Sequence, residues 1–236
     1  MAGGGSGKIA AMSDFNTIVQ TVAVYLIPVL FAISLHEAAH GYAARYFGDP
    51  TASEAGRLSL NPIRHIDPFG TVILPLLLYF TIQVPFGYAK PVPVDFGRLR
   101  NPKKQMAWVA FAGPGSNFAM GLAWMIVYVL LMVLPPSEIG MFIRKMAGAG
   151  VSVNAAMFVF NMIPVPPLDG GRIMTGILPM HLARPYANIE RYGMYVFGAL
   201  VLLMYLGVLN RPLIVAIEFV IGLFVKLVTP LTYLLT

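Results

Sequence analysis

The sequence predicts an all-α polytopic membrane protein with about five to six membrane segments and a re-entrant or β-hairpin-like element after the first helix. Of its 236 residues, 58% are hydrophobic and only 11% are charged, against roughly 25% charged in an average soluble domain. Apolar runs at 18–35, 124–134 and 196–208 approach the ~20 residues that a helix needs to cross a ~30 Å hydrocarbon core. Clusters of proline and glycine separate these runs and mark the turns between spans.

Each element follows from its own stretch of chain. Residues 1–15 read as a flexible N-terminal tail, because "MAGGGSGK" has one positive charge and no small-residue cleavage site after an apolar core. A single transmembrane unit is expected over 16–236, with a core at 16–172 and C-terminal helical spans at 185–236. The first helix is predicted from Asn16 to Phe47, where Gly48 and Pro50 break it. At 1.5 Å per residue it is ~48 Å long, so its last turns leave the bilayer while His36 and His40 lie inside, near one face. Residues 51–67 are polar and turn-rich, and 69–84 are apolar around Pro75. The alternating valines and prolines of "GYAKPVPVDFG", 87–97, suit an extended strand or loop. A long helix is predicted over 104–134, a turn over 135–140 and a further helix over 146–163, stopped by "PVPP" at 164–167. Two apolar spans, 185–209 and 212–234, complete the chain, and no internal repeat is visible.

Composition narrows the function classes. The net charge of +6 comes from Lys and Arg scattered between apolar segments, without the basic aromatic stripe of a nucleic-acid surface. The expected partner is the lipid bilayer, with no nucleic acid, and the basic residues serve the positive-inside rule. There is no cysteine, which excludes disulfides, thiolate metal sites and a cysteine nucleophile.

Charge inside an apolar helix costs ~2.5 kcal/mol or more at the bilayer centre, so such residues are functional candidates. His36 and His40 are four apart and share one helical face, which Glu37 adjoins. In this H-E-x-x-H spacing the two imidazoles bind a metal and the glutamate activates a water. Two hydrogen-bonded or snorkelling histidines are the alternative, which the apolar setting disfavours. Catalytic zinc takes three protein ligands and keeps one position open. Tyr46 stands where a third histidine six residues on would be, and Glu54, His65, Asp67 and His181 lie in polar, turn-rich stretches where solvated roles suffice. Asp169 in "NMIPVPPLDGGR", 161–172, is the better candidate. Prolines there prevent helix, and Gly170 and Gly171 allow close backbone approach. Non-helical backbone at membrane depth is tolerated only when buried in protein or lining a wet cavity.

"HEAAH" at 36–40, "AGPGSN" at 112–117 and "N-x-x-P-x-P-x-L-D-G-G" at 161–171 together resemble the site-2 protease family of intramembrane zinc metalloproteases. Order and spacing match from the first helix to about Arg172. The resemblance implies a zinc endopeptidase acting on membrane-spanning protein substrates, with one Zn2+ held by His36, His40 and Asp169. It implies Glu37 as general base and Asn161 as a residue that holds or polarises the scissile carbonyl. Residues 87–105 are similar to the segment before the "AGP" motif in compact members, and no stretch corresponds to the PDZ or cystathionine-synthase-type domain of others. Ala112, Gly113, Gly115 and Ser116 are small enough for close helix packing, across which Asn117 could hydrogen-bond; the resemblance also allows it to face substrate. Val92, Pro93 and Val94 lie on a candidate edge that could hold an unwound substrate by strand addition.

Counting crossings constrains the topology. Asp169 reaches the side of the histidines only if 69–84 re-enters instead of crossing, an arrangement that also makes the basic residues more asymmetric. It puts the zinc toward the cytoplasmic face of the cell membrane. The rival readings are a divalent-metal transporter, which would spread polar residues along a path over several helices, and a catalytically inactive membrane binding protein.

Overall fold

A computed structural model describes residues 5–61, 67–73, 77 and 90–235, and among them all regular structure is helical. Helix α1 spans Gly5–Tyr46. It begins before the expected Asn16, so residues 5–15, expected as a tail, extend the helix. Lys8, Ala10, Ala11 and Met12 are strong helix formers that supply no stop. The helix ends where Gly48 takes φ +111°, a conformation that only glycine adopts without strain. A short helix α2 follows at Thr51–Glu54.

Helix α3 spans Pro102–Val133, with proline in its first turn, where a missing N–H costs nothing. Helix α4 spans Glu138–Asn161, opening eight residues before the expected 146. The Ser137 side chain accepts the Gly140 N–H at 3.0 Å, and Glu138 faces the positive end of the helix dipole, so the cap sits ahead of the apolar run. Helices α5 (Asp169–Ile177) and α6 (Met180–Ala187) are short. Helix α7 (Gly193–Tyr205) and helix α8 (Asn210–Leu235) close the chain.

Three segments, Val19–Tyr46, Pro102–Val133 and Asn210–Tyr233, are long and apolar enough to cross a membrane. The other expected spans fall short in different ways. Helix α4 carries Glu138, Arg144 and Lys145 in its first turns, and α7 has 13 residues, below spanning length.

Helices α1, α3 and α4 form the central packing unit. Val109 of α3 lies at His40 of α1 and Asn117 at Ala32, so α3 runs antiparallel to α1. The Arg100 N–H donates to the Phe47 carbonyl at 3.1 Å and the Arg100 guanidinium to the Tyr46 carbonyl at 2.7 Å. The connection over 48–99 therefore leaves and returns at one end of α1. Its middle, residues 74–76 and 78–89, which was to form the re-entrant or hairpin element, lies outside the described residues, as does His65. The described flanks are a π-helical turn at Pro68–Ile73 and an irregular run over 90–95 without strand.

Toward the other end, Met125, Val151, Ala155, Val220, Phe224 and Val228 make an apolar core joining α3, α4 and α8. Small residues admit the rings. A Cβ on Gly121 would stand 2.6 Å from the Phe224 ring, and one on Gly150 would stand 2.4 Å from the Trp124 ring. The polar site thus lies among α1, α3 and α4, and this apolar core among α3, α4 and α8.

Candidate metal centre

The geometry is set first by α1. His36 and His40 follow one another by one turn, with their Nε2 atoms 3.1 Å apart. Asp169 Oδ2 lies 3.1 Å from His36 Nε2 and 3.3 Å from His40 Nε2. Ligand atoms ~2.0–2.1 Å from a tetrahedral ion stand about 3.3 Å from one another, close to the sides of this triangle. These three residues form a group that could bind a metal ion. No second group of that kind occurs among the described residues.

The far side of each ring decides what the near side offers. His40 Nδ1 lies 2.8 Å from the Val109 carbonyl. His36 Nδ1 lies 2.6 Å from Asn117 Oδ1. Each is an acceptor, so with neutral rings both protons sit on Nδ1 and both Nε2 atoms present lone pairs to the Asp169 carboxylate. Three acceptors facing one another repel unless a cation lies between them. The donor set therefore fits a divalent metal with imidazole and carboxylate ligands, and the backing hydrogen bonds are those that orient metal-bound histidines.

Close backbone approach brings the third ligand in. Asp169 is the first residue of α5, directly after the proline-rich 162–168 loop, whose last proline is Pro167. Its carboxylate is favoured at that helix N-terminus. A Cβ on Gly170 would stand 2.4 Å from the Ile163 carbonyl oxygen, and one on Gly171 would stand 2.2 Å from Pro166 N. The paired glycines let the 162–168 loop fold back onto the first turn of α5. Gly113 plays the corresponding part on α3, where a Cβ would stand 2.3 Å from His40 Nε2 and 2.7 Å from His36 Cε1.

Glu37 is turned toward the 90–95 run, where its Oε2 accepts the Val92 N–H at 2.8 Å. That run is clipped to the end of α1. The Asp95 N–H donates to Asp49 Oδ2 at 2.8 Å, while Asp49 Oδ1 accepts from the Thr51 N–H at 3.0 Å and from its hydroxyl. Burial alone would raise the Asp49 carboxyl, but these hydrogen bonds and the Arg98 charge outweigh it and hold the group below the usual carboxylate range. Gly41 leaves the gap that Val92 fills, since a Cβ there would stand 2.9 Å from Val92 Cγ1.

The other sequence candidates take different places. Asn117 is wholly buried, and both of its N–H donors are engaged, by the Ala32 carbonyl and Asn154 Oδ1 at 3.1 Å each, with Met157 Sδ 3.9 Å away. These hydrogen bonds join α3 to α1 and to α4. Asn161 donates to the Met157 carbonyl of its own helix at 3.0 Å. Val92 is buried, Pro93 is half-buried, and Val94 packs against the Ala44, Leu99 and Val109 cluster. Because Glu37 already takes the Val92 N–H, that group is not free to extend a sheet. Glu54 pairs with Arg98 at 2.9 Å, Asp67 accepts from the Gly70 N–H at 2.7 Å, and His181 is exposed. Sequence reasoning passed over Asn154, although an amide in the middle of an apolar helix is itself a signal. It could not see the Val109 carbonyl, since backbone acceptors leave no mark in composition.

Residues 137–204 match the profile of Peptidase family M50. Relatives that carry the name "Putative zinc metalloprotease" include YwhC of Bacillus subtilis and Rip2 of Mycolicibacterium smegmatis. YwhC is 34% identical over 73% of this chain and 77% of its own. Rip2 is 28% identical over 89% of this chain and 78% of its own. The chain belongs to peptidase family M50, the site-2 protease family. No solved structure matches it.

Proposed function

We propose that the protein is an intramembrane zinc endopeptidase that hydrolyses peptide bonds in or near the transmembrane segments of membrane-tethered proteins. The observation that carries this reading is the triangle of three candidate ligand atoms, His36 Nε2, His40 Nε2 and Asp169 Oδ2, with the Glu37 carboxylate on the adjoining position of the same helix. Zinc held there would supply Lewis-acid polarisation of a carbonyl and acidify a neighbouring water toward pKa ~7.

The chain's own residues do the rest. Glu37 takes the proton from the attacking water and returns it to the leaving amine, and its bond to the Val92 N–H steadies the carboxylate. The Asp169, His36 and His40 side chains are 7%, 7% and 13% exposed, which keeps bulk water low and strengthens the electrostatics within. Asn161, the last residue of α4 and directly before the 162–168 loop that delivers Asp169, would steady the scissile carbonyl. A helical substrate hides its carbonyls in i to i−4 bonds, so it must unwind before attack. Water reaches the site from the end of α1 where residues 47 and 100 meet, read as the cytoplasmic side.

The test is zinc content by elemental analysis of detergent-purified protein beside cleavage of a membrane-tethered reporter in vesicles. One zinc per chain is expected in wild type and in Glu37→Gln, with cleavage lost in Glu37→Gln, and no zinc in His36→Ala or Asp169→Ala. Zinc kept in Asp169→Ala would remove the third ligand, and cleavage kept in Glu37→Gln would remove the general base.

A further inference from the structure

The two histidines are oriented by unlike means. His40 leans on a backbone carbonyl, which cannot turn round. His36 leans on the side-chain amide of Asn117, whose oxygen and nitrogen ends can exchange by a half-turn of the amide. A flipped Asn117 would present N–H groups to His36 Nδ1, forcing a lone pair there and the proton onto Nε2, where it would block a metal.

What prevents the flip lies on α4. Asn154 is wholly buried, and its Nδ2 donates to the Gly150 carbonyl at 2.8 Å. A carbonyl only accepts, so the amide end of Asn154 is fixed toward Gly150 and its Oδ1 must face α3. There it accepts from Asn117 Nδ2 at 3.1 Å, and the Ala32 carbonyl accepts a second N–H of the same group at 3.1 Å. With its amide end bound by two acceptors, Asn117 can only turn Oδ1 to His36 Nδ1, 2.6 Å away. The polarity of every bond in the chain is thus set by backbone carbonyls at Gly150 and Ala32.

We infer that Asn154 is a positioning residue which, through Asn117, fixes His36 in the Nδ1–H form and so keeps its Nε2 open to the metal. Asn154 touches neither metal nor substrate and acts two hydrogen bonds away. The inference rests on the zinc reading of the site for its consequence, but not for the proton position, which is a property of the metal-free protein too. Helices α1, α3 and α4 are joined at this depth by one directed run of hydrogen bonds, so their packing and the ligand's protonation are set together.

The experiment has two arms. In the first, zinc affinity is measured by chelator competition on full-length protein in detergent. Asn154→Leu, which keeps the branched outline but offers no acceptor, should bind zinc about 10–100-fold more weakly, the usual cost of losing an outer-shell partner. Asn154→Asp still presents an acceptor to Asn117, whether ionised or protonated, and should stay within a few-fold of wild type. A merely structural asparagine would lower the melting temperature in both variants without separating them in affinity. In the second arm, nitrogen-15 spectra of histidine-labelled, metal-free wild type, assigned by loss of signal in His36→Gln, should place the His36 proton on Nδ1. This arm decides even if Asn154→Leu does not fold. A proton on Nε2 in wild type, or unchanged zinc affinity in folded Asn154→Leu, would overturn the inference. Wild type that binds no zinc but keeps the Nδ1 proton would sink the protease reading and leave the relay standing.

Discussion

Gly113 shows how much one missing methyl group decides. It lies on α3 directly over the two imidazoles, and a Cβ would approach His40 Nε2 to 2.3 Å, inside the volume a bound ion and its ligands need. Helix backbone cannot retreat locally, because neighbouring Asn117 and Val109 are hydrogen-bonded to the same rings. Gly113→Ala should therefore lower zinc affinity by roughly 100-fold or more while α-helical content stays at the wild-type level. Chelator competition with circular dichroism on the same samples reads both quantities. Sequence reading marks Gly113 as a small residue for helix packing, and packing is its role, but the packed objects are the imidazole rings and not a facing backbone. The four-residue spacing of His36 and His40 is legible because a helix repeats every 3.6 residues. Their meeting with Asp169, 129 positions further along than His40, depends on a loop folding back on glycines, which no local period encodes.

At the scale of elements, the 90–98 run settles an alternative that the sequence leaves open. Alternating valines and prolines suit an extended strand or a loop, and the structure has a loop over 90–95 that ends in one helical turn at Phe96–Arg98. Its valines face inward, Val92 into the gap at Gly41 and Val94 onto Ala44, Leu99 and Val109. A short alternating stretch is equally consistent with a strap laid along a helix, and only the partner helix tells the two apart. The strap is held at Asp95 by Asp49 and at Phe96 by Arg172, whose guanidinium lies 5.6 Å from the ring centre while pairing with Glu190. Substrate docking and orientation of Glu37 make different demands on it. If the strap orients Glu37 through the Val92 N–H, Val92→Pro should lower kcat roughly 10–100-fold at full zinc content, since general-base catalysis supplies about 10²–10⁴. Val94→Pro should then leave kcat within a few-fold. Equal losses in both variants, expressed mainly in KM, would return the strap to the role of substrate edge. Steady-state cleavage of a membrane-tethered reporter in vesicles separates the cases.

On the scale of the whole molecule, the chain divides its labour by depth. At the end of α1 lie the histidine pair with Asp169, the paired glycines and the connection that returns to its starting side. Toward the other end, α3, α4 and α8 meet in an apolar core around Phe224, which is fully buried, with Phe118 at 4.9 Å between ring centres. Helix association in lipid rests on such packing and not on expulsion of water, so the ring's fit over Gly121 is a direct contribution to holding α8 in place. The site itself draws its ligands from α1 and α5 and its backing from α3 and α4, with nothing from α8. Phe224→Ala should consequently lower the melting temperature by roughly 5–10 °C, from a cavity cost of about 3 kcal/mol, and leave zinc per folded chain unchanged. Thermal melts and elemental analysis on the same preparation test the division. Joint loss of stability and zinc would show that α8 supports the centre after all, and that the two levels fold as one unit.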